Sequence, residues 1–482
     1  MYKKVEYNSK VLSHNSRGGF ILQSVLSLIA FCSFIILFFA DNPKNGYDLL
    51  SVLPLVYIVM TLICKNCWKR IPINFGLTML FLLEFIRLVI SPLLVFASNY
   101  HCVIWYQAEI NNSKGIMLMA FEAMSIALAL RCKMTIRTNE YENIDTLRAN
   151  KRMNMLMIAI LIVSILVCVV EPEILTGFRT IAGVFTDSLY TSMVGVQLTP
   201  GYSDTSKFWV VTGNYLFKVV RLILPAYILV VLRNRMAKRY TLICYCVILS
   251  PFLFVDGTIA RSIFYTVFLL MLYYQLYGRD VKKMMLPVII AGVFVVIYFV
   301  ARFFVSGGTN VISYFADKSV DYFAGANIVG GVFNLPQELK YRIQYHLYDL
   351  LRMVPYANTI FGLDSSDYLQ GFFNTCNNVQ GGQIPPTIAM SSYYLGVFFA
   401  PVYSIIFARL CKKYGEKAVL AQNPYYRLVY TYISFITALG ICMYSIDITL
   451  ITLSQVILPI YIILRIAYKK TNLEKTKDVM KG

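Results

Sequence analysis

Several cationic side chains lie within or at the ends of apolar runs that are long enough to cross a membrane. Lys218 and Arg221 are three residues apart with no acid beside them, and Pro225 follows one turn later, where it should kink a helix. Arg261 opens one later apolar run and Arg302 closes the next. A guanidinium presents a planar fork of donors that matches phosphate oxygens. We therefore predict that this cationic set binds an anionic head group, a phosphate or diphosphate, near one membrane face.

Structural roles compete with this interpretation. Lys218, Arg221 and Arg302 could instead snorkel, with their apolar stems in lipid and their charged heads at the surface. Arg261 could form a salt bridge with Asp256, which lies in the preceding short loop. A helix that starts near Arg261 nonetheless favours an anion through its free N–H groups and its dipole.

Glu84 and Arg87 form a second group of charges inside an apolar run. They are three residues apart, so that both lie on the same face of a helix. One interpretation is a self-neutralising pair that holds helices together. The other is a functional site, which is the default hypothesis for ionisable residues inside a membrane span.

The composition indicates an integral membrane protein. Of the 482 residues, 58% are hydrophobic and only 14% are charged, whereas ordinary soluble domains carry roughly 25% charged residues. The net charge of +19 does not indicate nucleic-acid binding, because the basic residues form short clusters between apolar runs and no nucleic-acid motif occurs.

The apolar runs predict an all-α fold, a single polytopic bundle over 1–482. A spanning helix needs roughly 20 mainly apolar residues. Runs that satisfy or approach this length predict about twelve transmembrane helices, at 20–40, 49–64, 72–97, 115–131, 153–171, 209–232, 241–256, 261–278, 284–304, 387–410, 428–445 and 448–467. Lys and Arg concentrate in alternate connections and at both ends of the chain, which predicts that both termini are cytoplasmic.

The longest connection, 305–386, lies between the ninth and tenth predicted helices on the non-cytoplasmic side. Loops of that length in a compact protein are usually functional. Within it, Leu339, Ile343 and Leu347 recur at helical spacing, while Asp349 and Arg352 fall on other faces. Two interpretations stay open: a helix that covers the bundle, and a helix that lies at the membrane interface beside a lipid substrate.

The sequence predicts neither a metal site nor a cofactor. Cys64 and Cys67 form a CxxC, but no second pair and no histidine lies at zinc spacing. We interpret them as two inert thiols in a short cytoplasmic turn. The first outer loop, 41–48, has separated acids around Lys44 and is a poor metal site. The motifs of zinc proteases, serine hydrolases, P-loops and dinucleotide folds are absent from the sequence.

Four short motifs follow one another along the chain. They are Phe217-Lys218-Val219-Val220-Arg221 with Leu224-Pro225, Asp256-Gly257-Thr258-Ile259-Ala260-Arg261-Ser262, Tyr322-Phe323-Ala324-Gly325-Ala326-Asn327, and Ile384-Pro385-Pro386-Thr387 with Tyr394-Leu395-Gly396. In this order, with the third motif in the opening part of the long loop and the fourth at its close, they resemble the Wzy-type polymerases of O-antigen, enterobacterial common antigen and capsular repeat units. The resemblance extends from about the third to the tenth predicted helix.

The resemblance implies a GT-C-like fold and a glycosyltransferase of lipopolysaccharide or capsule biosynthesis in the bacterial cytoplasmic (inner) membrane. Such an enzyme joins undecaprenyl-diphosphate-linked oligosaccharide repeat units without metal or nucleotide. Its partners would be this lipid-linked substrate, membrane lipid and a chain-length regulator protein, and not nucleic acid.

The resemblance also suggests roles for individual residues. Lys218, Arg221 and Arg261 would hold the diphosphate, because fixed cations must stabilise the leaving group. Further cations that could assist are Arg302, Arg342 and Arg352. A general base would come from the long loop, and the candidates are Glu338, His346, Asp349 and Asp367. The predicted catalytic residues are therefore Arg261 and three of these loop residues: Glu338, His346 and Asp349.

Two other functions remain alternatives at this point. A flippase or transporter of lipid-linked oligosaccharide would also have about a dozen helices and internal cations, although it would not need a long outer loop. The related O-antigen ligase, which transfers finished polymer to another acceptor, would share the architecture.

Overall fold

The computed structural model describes residues 2–3, 9–40, 43–71, 73–100, 111–132, 138–139, 147–170, 178–180, 212–213, 216, 220, 223–233, 238–256, 259–277, 282–305, 310–379, 383–466 and 468. Two of the predicted phosphate-binding residues, Lys218 and Arg221, lie outside these ranges.

Helices make up nearly all the regular structure, as the apolar composition requires, because a helix satisfies its backbone hydrogen bonds within one segment. The helices are α1 (Ser9–Phe38), α2 (Val52–Ile63), α3 (Lys65–Trp68), α4 (Phe75–Phe85), α5 (Ser91–Ala97), α6 (Asn112–Arg131), α7 (Leu147–Val170), α8 (Ile223–Leu232), α9 (Lys238–Leu253), α10 (Ile259–Leu276), α11 (Lys282–Val305), α12 (Val311–Phe323), α13 (Ala326–Gly330), α14 (Leu339–Leu351), α15 (Ala357–Phe361), α16 (Leu369–Cys376), α17 (Thr387–Leu395), α18 (Val402–Leu420), α19 (Pro424–Cys442) and α20 (Ile446–Ile451).

Short irregular helices connect some of these elements. A π-helical stretch, Ile86–Ile90, joins α4 to α5, and a second, Thr452–Ile457, continues α20 towards Ile466. Turns of 3-10 helix occupy Gly331–Asn334, Ser365–Asp367 and Val397–Phe399. In the described ranges the only strands are two short antiparallel pairs, β1 (Tyr2–Lys3) with β2 (Thr138–Asn139) and β3 (Phe178–Thr180) with β4 (Phe254–Asp256).

Four helical segments are long and apolar enough to cross a membrane. They are Gly18–Phe38, Phe75–Ala97, Asn112–Arg131 and Ile446–Ile466. Five shorter apolar helices coincide with other predicted spans: Val52–Ile63, Ile223–Leu232, Thr241–Phe252, Ser262–Leu276 and Met284–Val300. The prediction of an all-helical membrane protein is confirmed at this level, while the count of twelve stays a prediction.

The helix α19 forms the centre of the bundle. Every residue from Pro424 to Cys442 is buried except Arg427, which lies near its start. The helix packs mainly against α18 and α4. By contrast, α1 and α11 expose many large apolar side chains, as helices that face lipid do.

The predicted span 387–410 is not one helix. α17 ends at Leu395, and Gly396 has a φ of 84° and a ψ of 164°, a region that is essentially restricted to glycine. A 3-10 turn follows, and α18 begins only after Pro401. The prediction missed this break because the apolar run continues through it, although a glycine followed by a proline is a common helix-ending signal.

The long connection folds into helices that pack against the bundle. α13 lies so close to α6 that a Cβ added at Gly115 would lie 2.0 Å from the carbonyl oxygen of Ala326. Asn111 donates a hydrogen bond to Asn334 over 3.0 Å, and Asn334 in turn donates to Asn377. The connection is therefore built onto the bundle by close backbone contact and by side-chain amides.

Candidate functional site

The helix α14 turns three ionisable side chains, Arg342, His346 and Asp349, towards the bundle and exposes a stripe of apolar side chains, while Lys340 is also exposed. Leu339, Ile343 and Leu347 are 66%, 51% and 55% exposed, whereas Asp349 is only 3% exposed. A helix on the surface of a soluble protein has the opposite arrangement. An apolar stripe of this kind is stable where its surroundings are apolar, so it fits a helix at a membrane interface.

The turn between α17 and α18 exposes apolar side chains as well. Phe398 and Phe399 are 91% and 64% exposed, and Gly396 of the same turn lies against Arg342 of α14. Contiguous exposed apolar groups mark a contact with lipid or another protein. The two interpretations of α14 are therefore compatible, since one face covers the bundle and the other offers an apolar surface.

On the inward face, Arg342 anchors α14 to the end of α17. Its Nε donates a hydrogen bond to the carbonyl oxygen of Tyr393 over 2.5 Å, and its Nη2 donates to that of Tyr394 over 3.4 Å. The carbonyl groups at a helix C-terminus lack partners in the helix and carry partial negative charge, so a cation there is favourable.

One turn further along α14, His346 lies between two tyrosines. Its Nε2 is 2.8 Å from the hydroxyl of Tyr403, which belongs to α18. Its ring stacks on that of Tyr394, with centroids 4.5 Å apart and planes 7° apart. Burial lowers the pKa of His346, which favours the neutral imidazole. The contacts with Tyr394 and Tyr403 therefore fix the orientation of a neutral ring.

Asp349 follows on the same face and lies deepest. Its Oδ2 accepts a hydrogen bond from the Tyr394 hydroxyl, while its Oδ1 is buried with no hydrogen-bond partner among the described residues. Burial, and then the carboxylate of Asp447, raises the pKa of Asp349 to about 7. A carboxyl group with such a pKa can both accept and return a proton near neutral pH.

Arg352 completes the row by joining α14 to α20. Its Nη1 forms a salt bridge of 2.5 Å with Asp447, and its guanidinium lies 4.5 Å from the ring centroid of Tyr368. The side chain of Asp447 is only 1% exposed. Arg342, His346, Asp349, Arg352 and Asp447 are named the α14 site from here on. Within it, Arg352 pairs with Asp447, while Asp349 has no ion pair among the described residues.

Four of the residues predicted from the sequence therefore meet in one place: Arg342, His346, Asp349 and Arg352. Glu338 does not join them, because it is exposed at the start of α14. Asp367 lies in a capping box with Asp364, in which the backbone N–H of Asp364 donates to its Oδ2 over 2.7 Å.

The four side chains of the predicted cationic set all lie outside the part of the chain that the structure describes. Lys218 and Arg221 lie outside the described residues, and the side chains of Arg261 and Arg302 do so as well, although their backbones belong to α10 and α11. In the part of the chain that the structure describes, no group of three or more His, Cys, Asp or Glu could hold a metal ion.

A second polar cluster lies inside the bundle. Arg87 donates from its Nη1 to Glu122 over 2.7 Å, and the same nitrogen is 3.8 Å from Glu84. The hydroxyl of Ser404 also donates to Glu122. A pair of Glu84 and Arg87 was one of the two interpretations of the sequence, and neither included Glu122, although it is an acid within the predicted span 115–131. The structure makes Glu122, and not Glu84, the closer partner of Arg87.

No family model matches the chain, and no curated protein or solved structure is significantly similar to it.

Proposed function

We propose that the chain is a glycosyltransferase that polymerises undecaprenyl-diphosphate-linked oligosaccharide repeat units at the outer face of the cytoplasmic membrane. The observation that carries this proposal is α14, which turns a row of ionisable side chains towards the bundle and an apolar stripe outward. That arrangement suits a substrate whose tail lies in lipid while its polar part meets protein. The motif order along the chain supports the same function.

In this proposal Asp349 is the general base. It takes the proton from a sugar hydroxyl of the acceptor unit, and the hydroxyl oxygen attacks the anomeric carbon of the growing chain. The bond between that carbon and the diphosphate oxygen breaks, and the lipid diphosphate leaves with the electron pair. A base with a pKa near the working pH is best placed for this transfer. The neutral ring of His346 orients the hydroxyl from the neighbouring turn.

The leaving diphosphate requires fixed positive charge. Arg342 and Arg352 already serve backbone carbonyls and Asp447 respectively, so we assign them mainly to holding α17 and α20 around the site. We assign the diphosphate to Lys218, Arg221 and Arg261, with Arg302 assisting. Arg261→Ala should then stop chain growth and leave single lipid-linked units in place. Polymer of wild-type length made by this variant would contradict the assignment.

A transporter of the same lipid-linked units is the second candidate. The cluster of Glu84, Arg87 and Glu122 favours it, because buried ionisable residues within spans commonly serve ion pathways in transporters. The related ligase would use the α14 site in the same way as the polymerase, but with a different acceptor.

A reconstituted reaction separates these functions. Purified protein in liposomes is given a synthetic lipid-diphosphate repeat unit as its only substrate, and the products are resolved by length. A ladder of multiples of the unit is expected for the polymerase. Absence of products, together with movement of the lipid-linked unit between leaflets, would instead identify a transporter. Product formed only when a second acceptor is added would identify the ligase.

A further inference from the structure

With all three groups ionised, the cluster of Glu84, Arg87 and Glu122 would carry one negative charge in excess. Glu84, Arg87 and Glu122 are each at most 1% exposed. Two carboxylates therefore face one guanidinium in surroundings that exclude water. A buried charge is retained only where it is paired and hydrogen-bonded, and otherwise the group takes its neutral form.

The groups around the cluster supply no second cation. α2 contributes the phenol of Tyr57 beside Glu84, α18 contributes the hydroxyl of Ser404, and α19 contributes the thiol of Cys442. Each of these groups is neutral as a donor, and ionisation of the phenol or thiol would only add negative charge. Among the residues that the structure describes here, Arg87 is the only positive charge.

The hydrogen bonds show that the carboxyl groups of Glu122 and Glu84 are not equally well satisfied. Glu122 receives the short bond from Arg87 and a further one from Ser404, so both its oxygens are satisfied as a carboxylate. Glu84 is 3.8 Å from Arg87, and its Oε1 receives only the weak thiol donor of Cys442 at 3.4 Å. Its Oε2 is buried without a partner, as are Nε and Nη2 of Arg87.

The backbone at this point is also unusual. Arg87 lies within the π-helical stretch Ile86–Ile90, which begins directly after α4, and Glu84 is the last residue but one of α4. Short π-helical stretches within α-helices occur frequently at functional sites.

From the charge count, the burial and the unpartnered oxygen, we infer that Glu84 is a proton-binding site inside the membrane bundle. Glu84 holds one proton as a neutral carboxylic acid, while Arg87 and Glu122 form the ion pair. This proton site is separate from the α14 site and does not depend on the proposed polymerase activity.

Infrared spectroscopy of the purified protein tests this inference, because a protonated carboxylic acid has its own carbonyl band, which shifts in D2O. The measurement is made near neutral pH in a D349N background, so that Asp349 contributes no band. The band is expected in this protein, and it should be lost in E84Q. Glu338→Gln, a change at an exposed acid, is the control that should keep it.

Glu122→Gln tests the charge count itself. With Glu122 neutral, Arg87 pairs with Glu84, which then loses its proton, so the band should disappear although Glu84 is retained. A melting temperature close to that of the parent shows that each variant is folded. A band that persists in E84Q would place the proton elsewhere and overturn the inference. A band that persists in E122Q would contradict the charge count.

The same spectra distinguish a proton from a bound metal cation. The inference expects the band to be the same in sodium chloride and in choline chloride. A band that appears only after sodium is removed would mean that the cluster holds sodium in place of the proton, and it would overturn the proposal.

Discussion

The row of side chains on α14 shows how one helix can prepare several groups for chemistry. Arg342, His346, Asp349 and Arg352 recur at intervals of three or four residues, so they share one helical face. Burial acts on two of them in opposite directions, because it disfavours whichever form is charged: it lowers the pKa of His346 and raises that of Asp349. Burial therefore favours the neutral form of both groups, and only Asp349 gains basicity from it.

If the proposed polymerase uses Asp349 as its base, the pH dependence of the reaction should report the ionisation of Asp349. Below about pH 7 its carboxyl group is protonated and cannot act as a base, so the rate of chain growth should rise as the pH increases through about 7. Initial rates measured across this range should show the rise in wild type and in K340Q, a variant at an exposed position of α14. If D349N kept the same profile and rate, Asp349 would not be the base.

The salt bridge between Arg352 and Asp447 should respond unequally to loss of either partner. Asp447 is buried, while the side chain of Arg352 is 30% exposed and can still be hydrated when it is alone. R352Q leaves a buried carboxylate without its cation, so it should lower the free energy of unfolding by about 3 kcal/mol. D447N should cost about 1 kcal/mol. Denaturant titrations in detergent compare the two, and an equal or reversed order would contradict the buried position of Asp447.

At the scale of elements, the break between α17 and α18 connects the two polar clusters. Tyr403 and Ser404 are adjacent residues at the start of α18, and they reach His346 of α14 and Glu122 of α6 respectively. Arg342 binds the carbonyl groups at the end of α17. The position of the break therefore fixes both the α14 site and the cluster inside the bundle.

Substitution of the glycine at this break should be costly. Gly396→Ala places a side chain in a conformation that non-glycine residues rarely adopt, at a cost of about 1–3 kcal/mol, and its Cβ would lie 3.3 Å from Nη2 of Arg342. Gly292→Ala is the matched control, because a Cβ there meets nothing within 4 Å inside α11. Thermal unfolding should show a lower melting temperature for G396A only, and equal behaviour of the two variants would contradict the described geometry.

The sequence predicted the elements better than their contacts. Apolar runs located helices such as α4 and α6, because run length depends on membrane thickness alone. The grouping of His346 with Tyr394 and Tyr403 could not be predicted, since it joins residues about 50 positions apart through tertiary packing. Glu122 could have been predicted, because it satisfies the same criterion as Glu84, an acid inside an apolar run.

At the scale of the whole molecule, several residues that the charge pattern predicts to be cytoplasmic contact one another. Arg70 forms a salt bridge with Glu416, and the ammonium group of Lys412 donates to the carbonyl oxygens of Leu130 and Cys132. The charge pattern assigns all of these residues to the cytoplasmic side, although they come from separate connections. We therefore expect the α14 site to face the opposite side.

Thiol labelling tests this orientation. Single cysteines are introduced at two exposed lysines, one in α14 (K340C) and one in the turn after α3 (K69C), after the native cysteines have been replaced. A membrane-impermeant maleimide should label K340C in intact spheroplasts and K69C only after the membrane is opened. The reverse result would invert the topology, and labelling of both sites in intact spheroplasts would contradict the predicted span count between them.

The central claim is that the inward face of α14 joins lipid-linked sugar units. Its most direct test is the length of product made by wild type, D349N and K340Q in liposomes that contain the synthetic lipid-diphosphate repeat unit. We expect a ladder from wild type and K340Q. For D349N we expect a loss of at least about 100-fold in dimer formation, the usual contribution of a general base. A ladder of wild-type length and rate from folded D349N would contradict it.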